Sequence, residues 1–531
     1  MKSQVGVRTA RLRHARHYVR VLTDAQYKLY LKGSQQMALR RFDEERLQSD
    51  SAWTWLLVQP PSTRTDQLVL NLANATASMG EVRYDVRRER IPRLEAQRDA
   101  AQRQGDKQAE GAALGNLGLA YAKLGNFRAA IQHYEQHLAI VRDIGNQRGI
   151  SKALGNLGEA YRNLGDYHRS IEYMEQVLSI ARDIGDRRDE GAALGNLGLA
   201  YADLGESRTS IEYMEQVLTI MREVGDRWGE GAALANLGNA YHALGDYRSA
   251  IAYHEQDLTI ARELGDRRGE GVTLGNLGLA SHALGDYRSA IVYHEQNLAM
   301  AREVGDRWGE GDALGNLGIA YRNVGDTSNA ATYLEQHLRI AREVGDRRGE
   351  ANALGNLGNV YYAEGDYRSA IAYHEQDLTI ARELGNRQGE RQTLANLASA
   401  YTAQGDHQTA MSYYEQALII AREVGDRRGE GNTLGNLSIA HHNLGDMQQA
   451  SEYFDQAIRI FRAIDLKADE AMFSWRMGAL YGQRGNVARA IELMQIAVDL
   501  YGAIGHPLAE PCADYLARAR ALLDEQQTEQ T

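Results

Sequence analysis

A chain of 531 residues with one cysteine, five prolines and a formal charge of −11 excludes several classes of protein at once. The lone Cys512 forbids an internal disulfide and any cysteine-based zinc site, and 71 acidic against 60 basic residues argues against a nucleic-acid binder. No run of about 18 apolar residues occurs, so the sequence reads as a soluble, cytoplasmic protein without a membrane partner.

Scarce proline with plentiful alanine, leucine and glutamate predicts an all-α protein. Taken in order, residues 1–106 read as an N-terminal helical segment. Within it, 66–104 form a degenerate helix pair whose turn is expected at Met79-Gly80. From 107 to 505 one pattern repeats. LGNLGLAY at 114–121 returns as LGNLGEAY from Leu154, as LANLGNAY from Leu234 and as LGNLGIAY from Leu314, down to a worn SWRMGALY from Ser474. The ten copies stand 40 residues apart without insertion. A fixed period in this range means stacked units that bury their apolar faces against neighbours.

In the unit 226–265, Ala233, Leu234, Leu237, Ala240, Tyr241 and Leu244 recur at three- and four-residue steps and predict a first helix, A. Gly245 supplies a left-handed stop and Asp246 caps a second helix, B, which runs through Ala250, Ile251, His254, Leu258 and Ala261. Tight Gly-Asp turns make A and B antiparallel. Gly238 inside helix A is expected to allow close approach at Ala250, and the same small pair recurs at Gly318/Ala330 and Ser438/Ala450. Pro507 and Pro511 predict a capping helix near 511–525 within a terminal segment 506–525. A disordered tail is expected over 526–531.

This spacing resembles the tetratricopeptide repeat, carried in the first copy by Leu117, Gly118, Tyr121, Ala130 and Tyr134. The departures are a missing proline after helix B and 40 residues rather than the family's usual number of about 34. The resemblance implies a right-handed superhelix, an α-solenoid of antiparallel helix pairs. The long units look most like those of Pins-type adaptors, with kinesin light chains and rapsyn as looser relatives. That resemblance implies a protein or peptide ligand in a concave groove, its backbone held by an asparagine ladder: Asn116, Asn156, Asn196, Asn236, Asn276, Asn316, Asn356, Asn396 and Asn436. Residues 13–56 look like the helical segment that follows the switch domain in STAND signalling ATPases, although no phosphate loop precedes it here.

The 100° helical step places further rows on the asparagine side of helix A. One reads Arg148, Arg188, Trp228, Arg268, Trp308, Arg348, Gln388 and Arg428, and others add Lys152, Arg162, His242, His282, Arg322, Tyr362 and His442. Amides pair with peptide backbone and guanidinium forks bind carboxylates, so the rows suit an extended acidic peptide. Leu199, Asn239, Leu279, Ile319 and Asn359 vary between copies and would set its preference. The asparagines would alternatively bond a neighbouring helix's carbonyl, and the arginines would alternatively pair with Glu190, Glu230, Glu270, Glu310, Glu350, Glu390 and Glu430 on a solvated face. His254, His294 and His374 occupy a row that is Tyr, Met, Leu or Phe elsewhere and are expected to fill the core.

No catalytic set, metal cluster or cofactor loop stands apart from the pattern, so the reading is a non-enzymatic scaffold without metal or cofactor. Two further readings stay open: the sensor or autoinhibitory arm of a STAND-type ATPase system, and an array that self-associates end to end.

Overall fold

The computed structural model describes the backbone of residues 2–26 and 34–529 and the side chains of 6–26 and 34–521. Residues 27–33, part of the STAND-like segment, and 530–531, part of the expected tail, lie outside the described residues. Every regular element among the described residues is helical, and the chain falls into two compact units, Met1–Leu264 and Gly265–Thr531.

The first unit opens with α1 (Lys2–Asp24), α2 (Gln35–Leu57), α3 (Thr63–Arg83) and α4 (Ile91–Gln104). Its repeat pairs are α5 (Lys107–Lys123) with α6 (Phe127–Asp143) and α7 (Gln147–Asn163) with α8 (Tyr167–Ile184). Next come α9 (Arg187–Asp203) with α10 (Ser207–Val224), and α11 (Arg227–Leu244) with α12 (Tyr247–Leu264). The second unit pairs α13 (Arg267–Leu284) with α14 (Tyr287–Val304), α15 (Arg307–Asn323) with α16 (Thr327–Val344), and α17 (Arg347–Glu364) with α18 (Tyr367–Glu383). It continues with α19 (Arg387–Gln404) and α20 (His407–Glu423), α21 (Arg427–Leu444) and α22 (Met447–Ala463), α23 (Lys467–Gln483) and α24 (Val487–Ala503), then α25 (Ala509–Glu529). The terminal helix thus runs past 525 into the stretch expected to be a tail.

Within the repeats a typical joint follows from two residues, the exceptions being Glu206 and Leu466, which make no side-chain cap, and Asp465, which stands at φ 53° where other joints have glycine. Gly225 adopts φ 70°, a left-handed conformation that costs glycine nothing, and ends α10. The Asp226 carboxylate then accepts from the Gly229 amide at 2.9 Å and starts α11. In the core the second leucine of each NL step, from Leu117 through Leu237 and Leu317 to Leu437, is fully buried.

The glycine inside helix A does meet helix B closely, but its partner is not the small residue. A Cβ on Gly358 would lie 2.5 Å from the His374 ring, and one on Gly238 the same distance from His254. The large side chain four residues beyond Ala250 or Ala370 fills the space the glycine leaves. Where the glycine becomes Ser438, its hydroxyl instead donates to the Ala450 carbonyl at 2.7 Å. Gly358→Ala is therefore expected to cost about 1–3 kcal/mol by overpacking, whereas Gly155→Ala, with open space around its Cβ, should gain about 0.5–1 kcal/mol of helix propensity. Urea titration of both variants checks the contrast, and equal effects would refute it.

The expected turn at Met79-Gly80 is absent. Gly80 lies within α3, and Tyr84 folds its ring back over it, 2.6 Å from where a Cβ would stand. The chain turns at Tyr84–Asp85, through a wide π turn at Val86–Arg90. Tyr84 also donates to Asp50 at 3.0 Å and lies under the Arg93 guanidinium, 4.2 Å from the ring centre, tying α4 to α2.

Candidate functional site

All nine ladder asparagines, Asn116 through Asn436, are half-buried on A helices, beside the fully buried leucine that follows each of them. Asn356 Nδ2 bonds its own helix at Asn352 O, 3.0 Å away, and its Oδ1 accepts from Arg322 on α15 at 3.3 Å. Asn396 accepts from Gln392 at 3.1 Å, one turn earlier. Among the described residues Asn116, Asn196, Asn236, Asn316 and Asn436 make no side-chain hydrogen bond, and the buried Asn156 Nδ2 has no partner.

The rows of predicted site residues divide. Trp228 and Trp308 are 60% and 56% exposed on the first turns of α11 and α15. Arg188, Arg268 and Arg348 are exposed and carry no ion pair among the described residues. Arg428 pairs with Asp469 at 3.2 Å, and Arg162 reaches Asp203 at 3.8 Å. Half-buried Arg322 has no carboxylate partner among the described residues, and burial pulls its guanidinium below the ordinary arginine range.

One cavity of about 750 Å³ in the second unit brings Arg268, Asn276, Trp308, Asn316 and Asn356 together along α13, α15 and α17. Asn116 instead lines a smaller cavity of about 190 Å³ beside Tyr84, Arg90 and Gln97. Arg188 shares an open depression with Arg148 and Arg187 at the starts of α7 and α9.

The glutamates are not partners of the predicted arginine row. Glu310, 6% exposed, accepts from Arg302 of α14 at 2.8 Å and from Arg307 of its own first turn at 2.5 Å. Arg307 in turn pairs with Glu343 on α16. The same four-residue chain of three ion pairs occurs at Arg182–Glu190–Arg187–Glu223, Arg342–Glu350–Arg347–Glu383 and Arg382–Glu390–Arg387–Glu423. Burial alone would raise the Glu310 carboxyl, but the hydrogen bonds from Arg302 and Arg307 hold it below the usual range. This ladder went unread in the sequence because the arginine that pairs immediately precedes the position that was singled out, Arg187 before Arg188 and Arg307 before Trp308.

Aromatic stacks form a second ladder between the helices of a pair. Tyr161 lies parallel to Tyr173, Tyr241 to Tyr253 and Tyr361 to Tyr373, with ring centres 5.2–5.5 Å apart. No helix among the described residues is long and apolar enough to cross a membrane.

Helix pairs repeated every 40 residues, with one half-buried polar row per A helix, define an α-helical repeat protein. Tetratricopeptide repeat models match residues 149–223, 230–303, 309–383 and 390–463, and a further one matches 113–148. The chain belongs to the tetratricopeptide repeat family. Among solved structures it is similar to a signal transduction ATPase with numerous domains (STAND) protein with a tetratricopeptide repeat sensor from Pyrococcus horikoshii. That match has 18% identity and TM-score 0.48, and covers 66% of this chain and 55% of that one. It is also similar to BtubC from P. vanneervenii (24% identity, TM-score 0.38, 40% of this chain and 91% of that one). A third is a kinesin light chain-like protein with nearly identical repeats from Podospora anserina (22% identity, TM-score 0.34, 36% and 95%). A search of curated protein sequences finds no match to this chain.

Proposed function

We propose that the protein is a non-enzymatic scaffold whose A-helix groove holds an extended peptide. The asparagines take the peptide backbone, and Arg188, Arg268 and Arg348, with Trp228 and Trp308, receive acidic and aromatic side chains. The observation that carries this reading is the polar row itself: five half-buried amides at a fixed spacing with no internal hydrogen bond. These amides stay open to water in the free protein, and a bound peptide backbone would take the water's place.

The double variant Asn236→Ala with Asn316→Ala should melt like the parent, because neither side chain bonds anything in the free protein. Each lost amide contact is worth about 0.5–1.5 kcal/mol, so ligand affinity should fall roughly tenfold or more. Capture from a lysate of the source cells checks this, with Arg188, Arg268, Arg348 and Arg428 changed together to Glu as the second bait. A partner set unchanged in both variants would overturn the groove reading.

A further inference from the structure

The cavity along α13, α15 and α17 has a charge pattern of its own. At the position where other copies carry Ala112, Ala192 or Ala232, its wall carries Asp312. The surrounding wall's desolvation, then the charges of Asp346 and Asp306, raise that carboxyl above the ordinary aspartate range. Asp306 and Asp346 are committed to capping their helices, through the amides of Gly309 at 3.0 Å and of Gly349 at 2.9 Å. Asp312 has no such duty and no cation bound to it among the described residues.

The cations nearby are already placed. Arg267 is held by Glu270 and Glu303, and Arg322 is bonded to Asn356 at the cavity edge. Arg268 has no ion pair among the described residues but stands on α13, two helices earlier, and one turn nearer the helix start. Around Asp312 the wall is apolar and open: Val272 is 61% exposed, Leu279 44% and Trp308 56%, with Ile319 and Met300 completing the surface. The floor adds a buried polar atom without a partner. His337, 8% exposed, lines the cavity with its Nδ1 unbonded.

We propose that this cavity is a subsite for a peptide segment in which a lysine or arginine, seated on Asp312, adjoins a bulky apolar residue packed on Val272, Leu279 and Ile319. The inference rests on the groove reading and gives the ligand a mixed charge pattern, acidic toward Arg268 and cationic toward Asp312. Two of the elements that form it, Asp312 and Val272, are found at this row in no other copy, so the subsite is a property of this part of the array and not of the repeat.

The test is selection from a random displayed dodecapeptide library on the full chain, on Asp312→Asn and on Asn236→Ala with Asn316→Ala. The expected result is enrichment of Lys or Arg beside Leu, Ile, Val, Met or Phe on the parent. On Asp312→Asn that basic preference should be lost while the apolar one persists. By calorimetry an enriched peptide should bind Asp312→Asn roughly five- to tenfold more weakly, as expected for a partly desolvated charge pair. Asp312 is exposed and its row holds Asn352 and Asn432, so the variant should melt like the parent. Enriched peptides without a basic residue, or with the same basic residue on Asp312→Asn, would overturn the subsite while leaving the groove intact if they still depend on Asn236 and Asn316. No enrichment on any bait would overturn both.

Discussion

Acidification from pH 7 to pH 4 is expected to unfold much of the array, and three substitutions should prevent most of that loss. His254, His294 and His374 are each 1% exposed, wedged against a glycine of the partner A helix, with Nδ1 unpaired. Burial lowers each imidazole to about 4, with the neighbouring His242 and His282 adding repulsion at the first two. The sign follows from linkage. Above pH 6.5 the rings are neutral in both folded and unfolded chains and contribute nothing to pH dependence. Below that value the unfolded chain takes up protons the folded one refuses, so stability falls until the folded rings titrate near pH 4. A depression of this size is worth about 3 kcal/mol per ring, on the order of 10 kcal/mol for the three together.

Burial also lowers His133, His137, His337 and His442, which add loss of the same sign. Carboxylates such as Glu310 and Glu350 are held low and so lose their pairs only at more acidic pH. The chain supplies its own replacement: Met174 and Met214 occupy the same row, 1% exposed, against Gly158 and Gly198. The triple variant His254→Met, His294→Met and His374→Met should keep its helical circular dichroism well below the pH at which the parent loses it. Coincident acid transitions in parent and variant would show that the buried rings do not govern the response.

The second large effect concerns the ion ladder. Glu350→Ala should cost about 2–3 kcal/mol, toward the lower end for breaking a buried pair because Arg342 and Arg347 are half exposed and can turn to water. Arg347→Ala should also destabilise, whereas Arg348→Ala, one residue on and without an ion pair, should stay within about 0.5 kcal/mol of the parent. Denaturant midpoints measure both. Equal costs at 347 and 348 would mean that the ladder contributes nothing, as many exposed pairs do.

Helices, joints and leucine core could be read from the sequence because they rest on local chemistry: a glycine that must be left-handed, an aspartate that caps, an apolar period of three and four. What escaped reading depended on which of two neighbours turns inward. Arg187 and Arg188 are alike in composition and differ by 100° around the helix, so only coordinates separate the ladder from the groove row. Gly80 mimicked a turn because a glycine that admits a tyrosine ring is written with the same letter as one that ends a helix. At the candidate site, the nine asparagines carried over from the family resemblance lie on A helices, yet the uncapped carboxylate in the cavity wall did not register. That residue is Asp312, whose row is alanine in most of the first unit.

Within the second unit the ion ladder links one repeat to the next in the same way. Arg302 meets Glu310 as Arg342 meets Glu350, eight residues on, at 2.8 and 2.7 Å. Excising residues 306–345 would leave Arg302 facing Glu350 across the same interval, with the Gly-Asp joint intact. Unequal crossing-over between misaligned copies of the gene thus shortens or lengthens this protein by whole rungs without creating a foreign interface. On the groove reading, the reach of the binding surface is a quantity that recombination alone adjusts, while point mutation in rows such as that of Asp312 would change what each stretch of it prefers.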